Sequence, residues 1–274
     1  MNVGLSKGLF LVGAYRRFGF NAEVLLRNTM RNPADPLATE KGKGVNFGVE
    51  IFDYEGSCLY SEPSYGKIEF NSYVSLKVSD LLSGDNKEKV ELLVVIPEIS
   101  TGENIWFEQE HEIIYSSQKT KSLPSVIYDQ LPLRVIDEYA PIILLNHKIY
   151  ISKELNSVIA LANYRGKENI PPRLQTMELN FFDEKGKLIL RKKTSLPYNS
   201  CSYIDVKMEI GHKLNLTDSP ILITMTARGG NSLFAIETMT LNEKIGTAAL
   251  EHSLAPTYFV SQNMREVREK ALLY

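Results

Sequence analysis

The sequence predicts an all-β protein built as two tandem, internally duplicated β-sandwiches closed by a short C-terminal helix. Three observations lead there. The chain writes one pattern twice, its segments alternate apolar and polar residues with period two, and turn residues recur at intervals of roughly 8 to 12 residues.

The repeat is carried by three matches. "NAEVLLRN" from Asn21 is echoed by "NSVIALAN" from Asn156, 135 residues on. "IFDYEGSCL" from Ile51 is echoed by "FFDEKGKLI" from Phe181, and "SYVSLKV" from Ser72 by "SYIDVKM" from Ser202, both 130 residues on. The smaller offset implies a longer loop after the first matched strand in the first half. A fourth, weaker echo sets "EQEHEIIY" from Glu108 beside "ALEHSLAPTY" from Ala249 and would make His111 and His252 counterparts.

Each matched segment reads as a strand. "VSLKV" and "IDVKM" alternate as a half-buried strand should. "FDYEG" and "FDEKG" are turns between strands, because Asp can fold its carboxylate onto the backbone ahead and Gly supplies a positive φ. Further strands are expected at residues 10–14, 45–52, 90–96 and 105–115, then at 142–146, 176–182, 221–227 and 233–240, with a short one near Leu250. "ELLVVIPEI" and "PILITMTA" are apolar throughout and belong in sheet centres. Arg191-Lys192-Lys193 are expected on a turn-rich surface. Helical periodicity enters only at the C-terminus, where Ser261 offers a cap and Glu266 and Lys270 stand at helical spacing.

A segment with Pro124, Pro132 and Pro141 lies between the halves. It places the boundary near residue 135, giving units of 1–135 and 136–274. Its apolar residues, Val126, Ile127, Leu131 and Val135, should pack along the joint and fix its angle. Each unit is expected to close its own hydrophobic interior.

Composition sets the bounds. Over 274 residues, 43 % are hydrophobic and 23 % charged, and 31 basic against 33 acidic residues leave a formal charge of −2. That balance, spread along the chain, argues against a nucleic-acid-binding face. No run approaches the roughly 20 apolar residues of a membrane helix. The N-terminal run at residues 8–14 reads as a first strand rather than a signal core, so a cytoplasmic location is expected. Cys58 and Cys201 fall at non-equivalent places and read as free thiols. The sequon Asn215-Leu216-Thr217 is what chance supplies.

Catalytic signatures are missing: no G-x-S-x-G, H-E-x-x-H, paired C-x-x-C or P-loop is present. "GKGVNFG" precedes a strand rather than opening a helix, and "RGGNS" fits a hairpin turn. The histidines are His111, His147, His212 and His252. His111 follows Glu110 and His252 follows Glu251, but neighbours on a strand point to opposite faces, so neither pair forms a dyad. His111 shares a face with Tyr115, opposite Trp106, and Pro256 makes the segment around His252 and Tyr258 an edge or loop, where function concentrates. No cofactor and no metal set is implied.

The general look is that of immunoglobulin-like or jelly-roll-like sandwiches, and fold at that level carries no function. The functional expectation is a non-catalytic protein that binds a glycan or a protein partner through loops or the inter-domain groove. His111, Tyr115, Trp106, His252, Tyr258 and Glu251 are the candidate ligand-binding residues. The alternatives are an assembly subunit, with homo-oligomerisation open, and a hydrolase-like enzyme using His111 or His252.

Overall fold

The computed structural model describes residues 8–28, 44–70, 72–97, 110–121, 123–128, 133–134, 143–164, 176–229, 233–242 and 244–252. The expected C-terminal helix lies outside them. The described fold is all-β and sandwich-like in two halves.

In the first half the strands are β1 (Gly8–Gly13), β2 (Phe20–Asn28), β3 (Val45–Phe52), β4 (Cys58–Ile68) and β5 (Ser72–Lys77). Two single-turn helices follow, α1 (Val78–Leu81) and α2 (Asn86–Lys89), then β6 (Leu92–Pro97), β7 (Glu110–Ser117), β8 (Ser125–Tyr128) and β9 (Leu133–Arg134). The second half runs β10 (Ile143–Ile151), β11 (Leu155–Tyr164), β12 (Thr176–Phe182), β13 (Leu188–Ser195), β14 (Ser200–Asp205), α3 (Val206–Ile210), β15 (Ile221–Gly229), β16 (Leu233–Asn242) and β17 (Thr247–His252).

These strands form four antiparallel sheets. Sheet A has the order β5-β2-β7-β8, and sheet B has β4-β3-β6-β1-β9. Sheet C runs β14-β11-β16-β17, and sheet D runs β13-β12-β15-β10. C repeats the order of A and D repeats that of B, strand for strand, apart from β9 at the edge of B.

The turns repeat in the same detail. Asp53 accepts from the backbone N–H groups of Glu55 and Ser57 through its side chain, and Asp183 accepts from those of Lys185 and Lys187. Gly56 and Gly186 close the two turns at φ of +84° and +77°, where a Cβ is strained. Both hairpins carry a register shift at the same place, beside Phe52 and beside Phe182.

The interior departs from expectation in part: the second half closes a core of its own between sheets C and D, but the core of the first half runs on into the second. One cluster joins sheets A and B with residues of the second half: Val158, Ala160, Ala162, Tyr164, Cys201, Met239 and Leu241. The other joins Ile159, Leu161 and Ile204 of sheet C with Met177, Leu179, Phe181 and their neighbours in sheet D. Alternation explains it. Even-numbered residues of β11 face one way and odd-numbered the other, so a strand buried at Val158, Ile159, Ala160, Leu161 and Ala162 is covered on both faces. The sheets therefore stack A–B–C–D, with B and C as the covered inner layers.

Other elements also differ from the sequence reading. Arg191, Lys192 and Lys193 lie within β13, an edge strand, where charge guards an open row of backbone groups. The "VKM" of the second half turns into α3, capped by the Asp205 side chain accepting from Met208 N. Val126, expected to pack along the joint, is half exposed. The segment between the halves supplies β8 and β9, and Ser125 Oγ donates to Ala248 O of β17, tying the edges of sheets A and C together.

The echo at Ser72 and Ser202 is out of step with the fold. Pairing sets Val24 opposite Leu76 and Ile159 opposite Ile204, so Leu76 corresponds to Ile204, 128 residues on. The two-residue slip arises in β4, where partners jump from Val49–Glu62 to Phe47–Gly66. An even slip keeps every side chain on its face, so the sequence pattern cannot reveal it. The His111–His252 echo has no counterpart in the fold either. His111 pairs with Leu26 on β7, whereas His252 pairs with Glu237 on β17, and β17 corresponds to β8.

Candidate functional site

A buried set of polar and ionisable side chains lies where sheets A, B and C meet. Chain geometry concentrates them there. β1 ends at Gly13 and the next residues turn over a 3-10 segment, Arg16–Phe18, which Tyr15 enters at φ 49°. Tyr15 is thereby driven into the interior and is fully buried. Its ring sits 5.3 Å from Tyr115 of sheet A and 5.1 Å from Tyr203 of sheet C, both edge-on, as the aromatic quadrupole prefers.

Hydrogen bonds tie the three rings to backbone and carboxylate groups around them. Tyr115 Oη is 2.6 Å from Gly13 O, where the edge of β1 is uncovered, and 3.1 Å from Glu237 Oε2. Tyr15 Oη donates to Glu237 O at 3.2 Å. Tyr203 Oη accepts from Tyr15 N at 2.9 Å and donates to Glu91 O at 3.2 Å. Deeper along the same seam, Tyr164 Oη donates to Glu50 Oε2 at 2.8 Å, joining sheet C to sheet B. Buried phenols with buried partners satisfy the rule that polar groups removed from water must be paired.

Charge at the seam is handled by Arg17. Its Nε donates to Glu91 Oε1 at 2.8 Å, and its guanidinium lies 5.3 Å from the centre of the Tyr203 ring. Glu91 Oε2 is buried without a hydrogen-bond partner among the described residues. Burial pushes the Glu91 carboxyl above its ordinary range, and Arg17 pulls against that shift without cancelling it.

Burial also raises the phenols of Tyr15, Tyr115 and Tyr203 well above their ordinary value, with the negative charge of Glu237 adding to the first two. The Cys201 thiol is pushed well up in the same way. At neutral pH the phenols are donors and the thiol is protonated, a weak nucleophile. The cluster therefore offers hydrogen-bond donors to its own interior and no activated group to a substrate.

The candidate residues fall as follows. Tyr115 is 1 % exposed and belongs to this seam, with its hydroxyl occupied on both sides. His111 is on β7 and Glu251 and His252 are on β17, in different sheets. Trp106 and Tyr258 lie outside the described residues. Cys58 is exposed and Cys201 is buried, and neither forms a disulfide, as the sequence reading of two thiols expected. Among the described residues no three His, Cys, Asp or Glu side chains converge as a metal set would, and no helix is long and apolar enough to cross a membrane.

Sequence reasoning missed the seam. Tyr15, Tyr203, Glu91 and Glu237 come from four separated stretches, and the only available signal was the repeat itself. Leu25 pairs with Glu112 and Ala160 with Glu237, so those two carboxylates occupy the same place in sheets A and C. One is on an outer face and the other is 1 % exposed.

The surface presents a different set. Tyr54, Tyr65, Tyr73 and Tyr150 are exposed. Tyr54 Oη donates to Glu55 Oε1 at 2.8 Å, and Tyr60 and Tyr65 of β4 lie with ring centres 6.5 Å apart beside the exposed Glu62.

No protein-family model matches the chain, and no curated protein does. Among solved structures, the apo form of the lectin of Pleurotus ostreatus aligns over 96 % of this chain and 86 % of its own at 8 % identity, with a TM-score of 0.22. The BSP domain of a biofilm-associated protein aligns over 94 % of this chain and 57 % of its own at 9 % identity, TM-score 0.24. A β-glucuronidase of Parabacteroides merdae aligns over 92 % of this chain and 28 % of its own at 11 % identity, TM-score 0.17. At these scores the alignments carry no weight for fold or function.

Proposed function

We propose that this chain is a non-catalytic binding protein that recognises a glycan through the exposed strands and loops of a rigid double sandwich. The observation that carries this reading is the division of its polar chemistry. The described groups whose pKa is raised most by burial are enclosed in the seam, where they hold the halves together, while the surface keeps tyrosines beside carboxylates. A phenol ring stacks on the C–H face of a sugar, and neighbouring carboxylates accept sugar hydroxyls. The filled seam supports recognition on outer surfaces rather than in a groove between the halves.

We further read residues 1–135 and 136–274 as two copies of one unit. The repeated strand order and the twin Asp–Gly turns support this. The function is tested by applying the whole chain to an array of neutral, sialylated and sulfated oligosaccharides, with light scattering alongside. Saturable binding by a species that leaves the sugar intact is expected. A chain that ignores every glycan and self-associates overturns the reading in favour of an assembly subunit.

A further inference from the structure

The two halves differ at one edge strand in a way that folding does not require. From Cys58 to Glu62 of β4, positions correspond to Leu188 to Lys192 of β13 through matching partners on β3 and β12. Beyond that point β13 needs only Lys193 before Thr194 resumes the ladder, whereas β4 inserts Pro63, Ser64 and Tyr65 before Gly66. The extra residues form a bulge, a device that re-aims side chains at a sheet edge.

The rest of the half is fitted to that bulge. Gly48 lies beneath it, and a Cβ there would stand 2.6 Å from Pro63 O; the corresponding position in the second half is Glu178. Tyr65 rests on the buried ring of Phe47 at 5.7 Å, with Gly66 leaving room for that ring, so the phenol is backed by the core. Tyr60 meets Tyr65 edge-on at 74°, and Ser61, Glu62 and Ser64 beside them are exposed. In the second half Tyr60 and Glu62 are replaced by Leu190 and Lys192, so that strand is aliphatic and basic where β4 is aromatic and acidic.

We infer that the β4 bulge is the glycan site of the proposed function, and that its ligand is a neutral pyranose. The inference rests on that function being correct. Tyr65 supplies the stacking surface, Tyr60 a wall at right angles, and Glu62 with the Ser64 hydroxyl the polar contacts. A peptide strand added to the edge of β4 is disfavoured by Pro63, which has no N–H, and by the bulge, which breaks the row of backbone groups. An anionic sugar is disfavoured by the Glu62 carboxylate. Rings held by the core lose little freedom on binding.

The test applies the full chain, Tyr65→Ala, Tyr60→Ala and the distant Tyr73→Ala to the same oligosaccharide array, with circular dichroism to confirm folding. The inference predicts binding to neutral sugars, weakened tenfold or more by Tyr65→Ala, weakened less by Tyr60→Ala and unchanged by Tyr73→Ala. Neutral-sugar binding that survives both β4 changes in folded protein overturns this site and leaves the glycan function standing. Binding confined to sialylated or sulfated members overturns the neutral class. Absence of all glycan binding by the unaltered chain overturns site and function together.

Discussion

Sheets A and C have the same strand order, yet one faces water and the other is buried between layers. Arg27 and Tyr73 pair in sheet A where Ala162 and Cys201 pair in sheet C, and Leu25 and Ser75 correspond to Ala160 and Tyr203. Sheets B and D show the same contrast. Gly13, Leu92 and Val94 of sheet B correspond to Lys148, Thr224 and Thr226 of sheet D. Of these positions, those on the covered faces are small or apolar apart from Tyr203, whose hydroxyl is hydrogen-bonded inside, and those on the free faces are polar or charged apart from Leu25. Gly13 shows what docking demands, since a Cβ there would lie 3.3 Å from both Ala160 Cβ and Cys201 Sγ. Backbone topology thus permits an endless stack of such sheets, and side-chain polarity stops it at four layers.

The sharpest way to break that contrast is to move an outer-face residue into the seam. Ala162→Arg puts the counterpart of Arg27 at a site 2 % exposed, against the apolar face of sheet B. Burying an unpaired charge there should cost about 3 kcal/mol or more. Denaturant unfolding measures it, and a cost below about 1 kcal/mol would mean the B–C interface is looser than its burial indicates.

The twin turns give the next comparison. Gly56 and Gly186 share a positive φ, so alanine at either should cost about 1 kcal/mol for backbone strain. A Cβ at Gly56 would also lie 2.2 Å from Tyr198 O of the second half, whereas one at Gly186 meets nothing within 4 Å. Ser200 Oγ donating to Tyr54 O at 2.9 Å pins the same contact. Gly56→Ala should therefore lower the melting temperature clearly more than Gly186→Ala. Equal losses would mean that the first turn gives way at no cost.

These two turns also mark where the sequence was readable. Asp53, Gly56, Asp183 and Gly186 carry local chemistry that acts on the next few residues, so they could be read before any fold was known. Strand alternation likewise exposed β5, and the repeat marked β2 and β12. The shared interior could not be read, because Val158, Ala160 and Ala162 look like any buried strand, and which sheet covers them is decided across more than a hundred residues. The β4 bulge was hidden for a different reason: an even insertion keeps the apolar alternation intact. Tyr115 was singled out as a ligand-binding residue, yet it is buried, and its surroundings come from Gly13 and Glu237 in other strands.

A smaller effect separates the seam carboxylate from exposed ones. Burial raises the Glu91 carboxyl in the folded chain above its unfolded value, so the folded state holds that proton more tightly. The stabilisation is fully present below the unfolded value near 4.5 and is lost as pH rises through the raised folded value. Groups facing Glu91 set the window: Arg17 favours ionisation, while Asp53 opposes it. Glu91→Gln has no such proton to lose, so its melting temperature should fall less than that of the unaltered chain across this pH range. Parallel profiles would show that Arg17 fully offsets burial.

The smallest effect belongs on the free face. Arg27 Nη2 lies 2.5 Å from Glu112 Oε1, with the side chains 38 % and 22 % exposed. Water screens such a pair, so Arg27→Ala should cost about 0.5 kcal/mol and less still in high salt. Glu112 would remain hydrated, whereas its counterpart Glu237 depends on the Tyr115 hydroxyl inside the protein. Tyr115→Phe should therefore cost more than Arg27→Ala, by roughly 1–2 kcal/mol, and without salt dependence, because it removes a hydrogen bond to a buried carboxylate and one to Gly13 O. If the two changes proved equal, the same carboxylate would be tolerated alike in water and in the seam, and polarity would not be what decides which face docks.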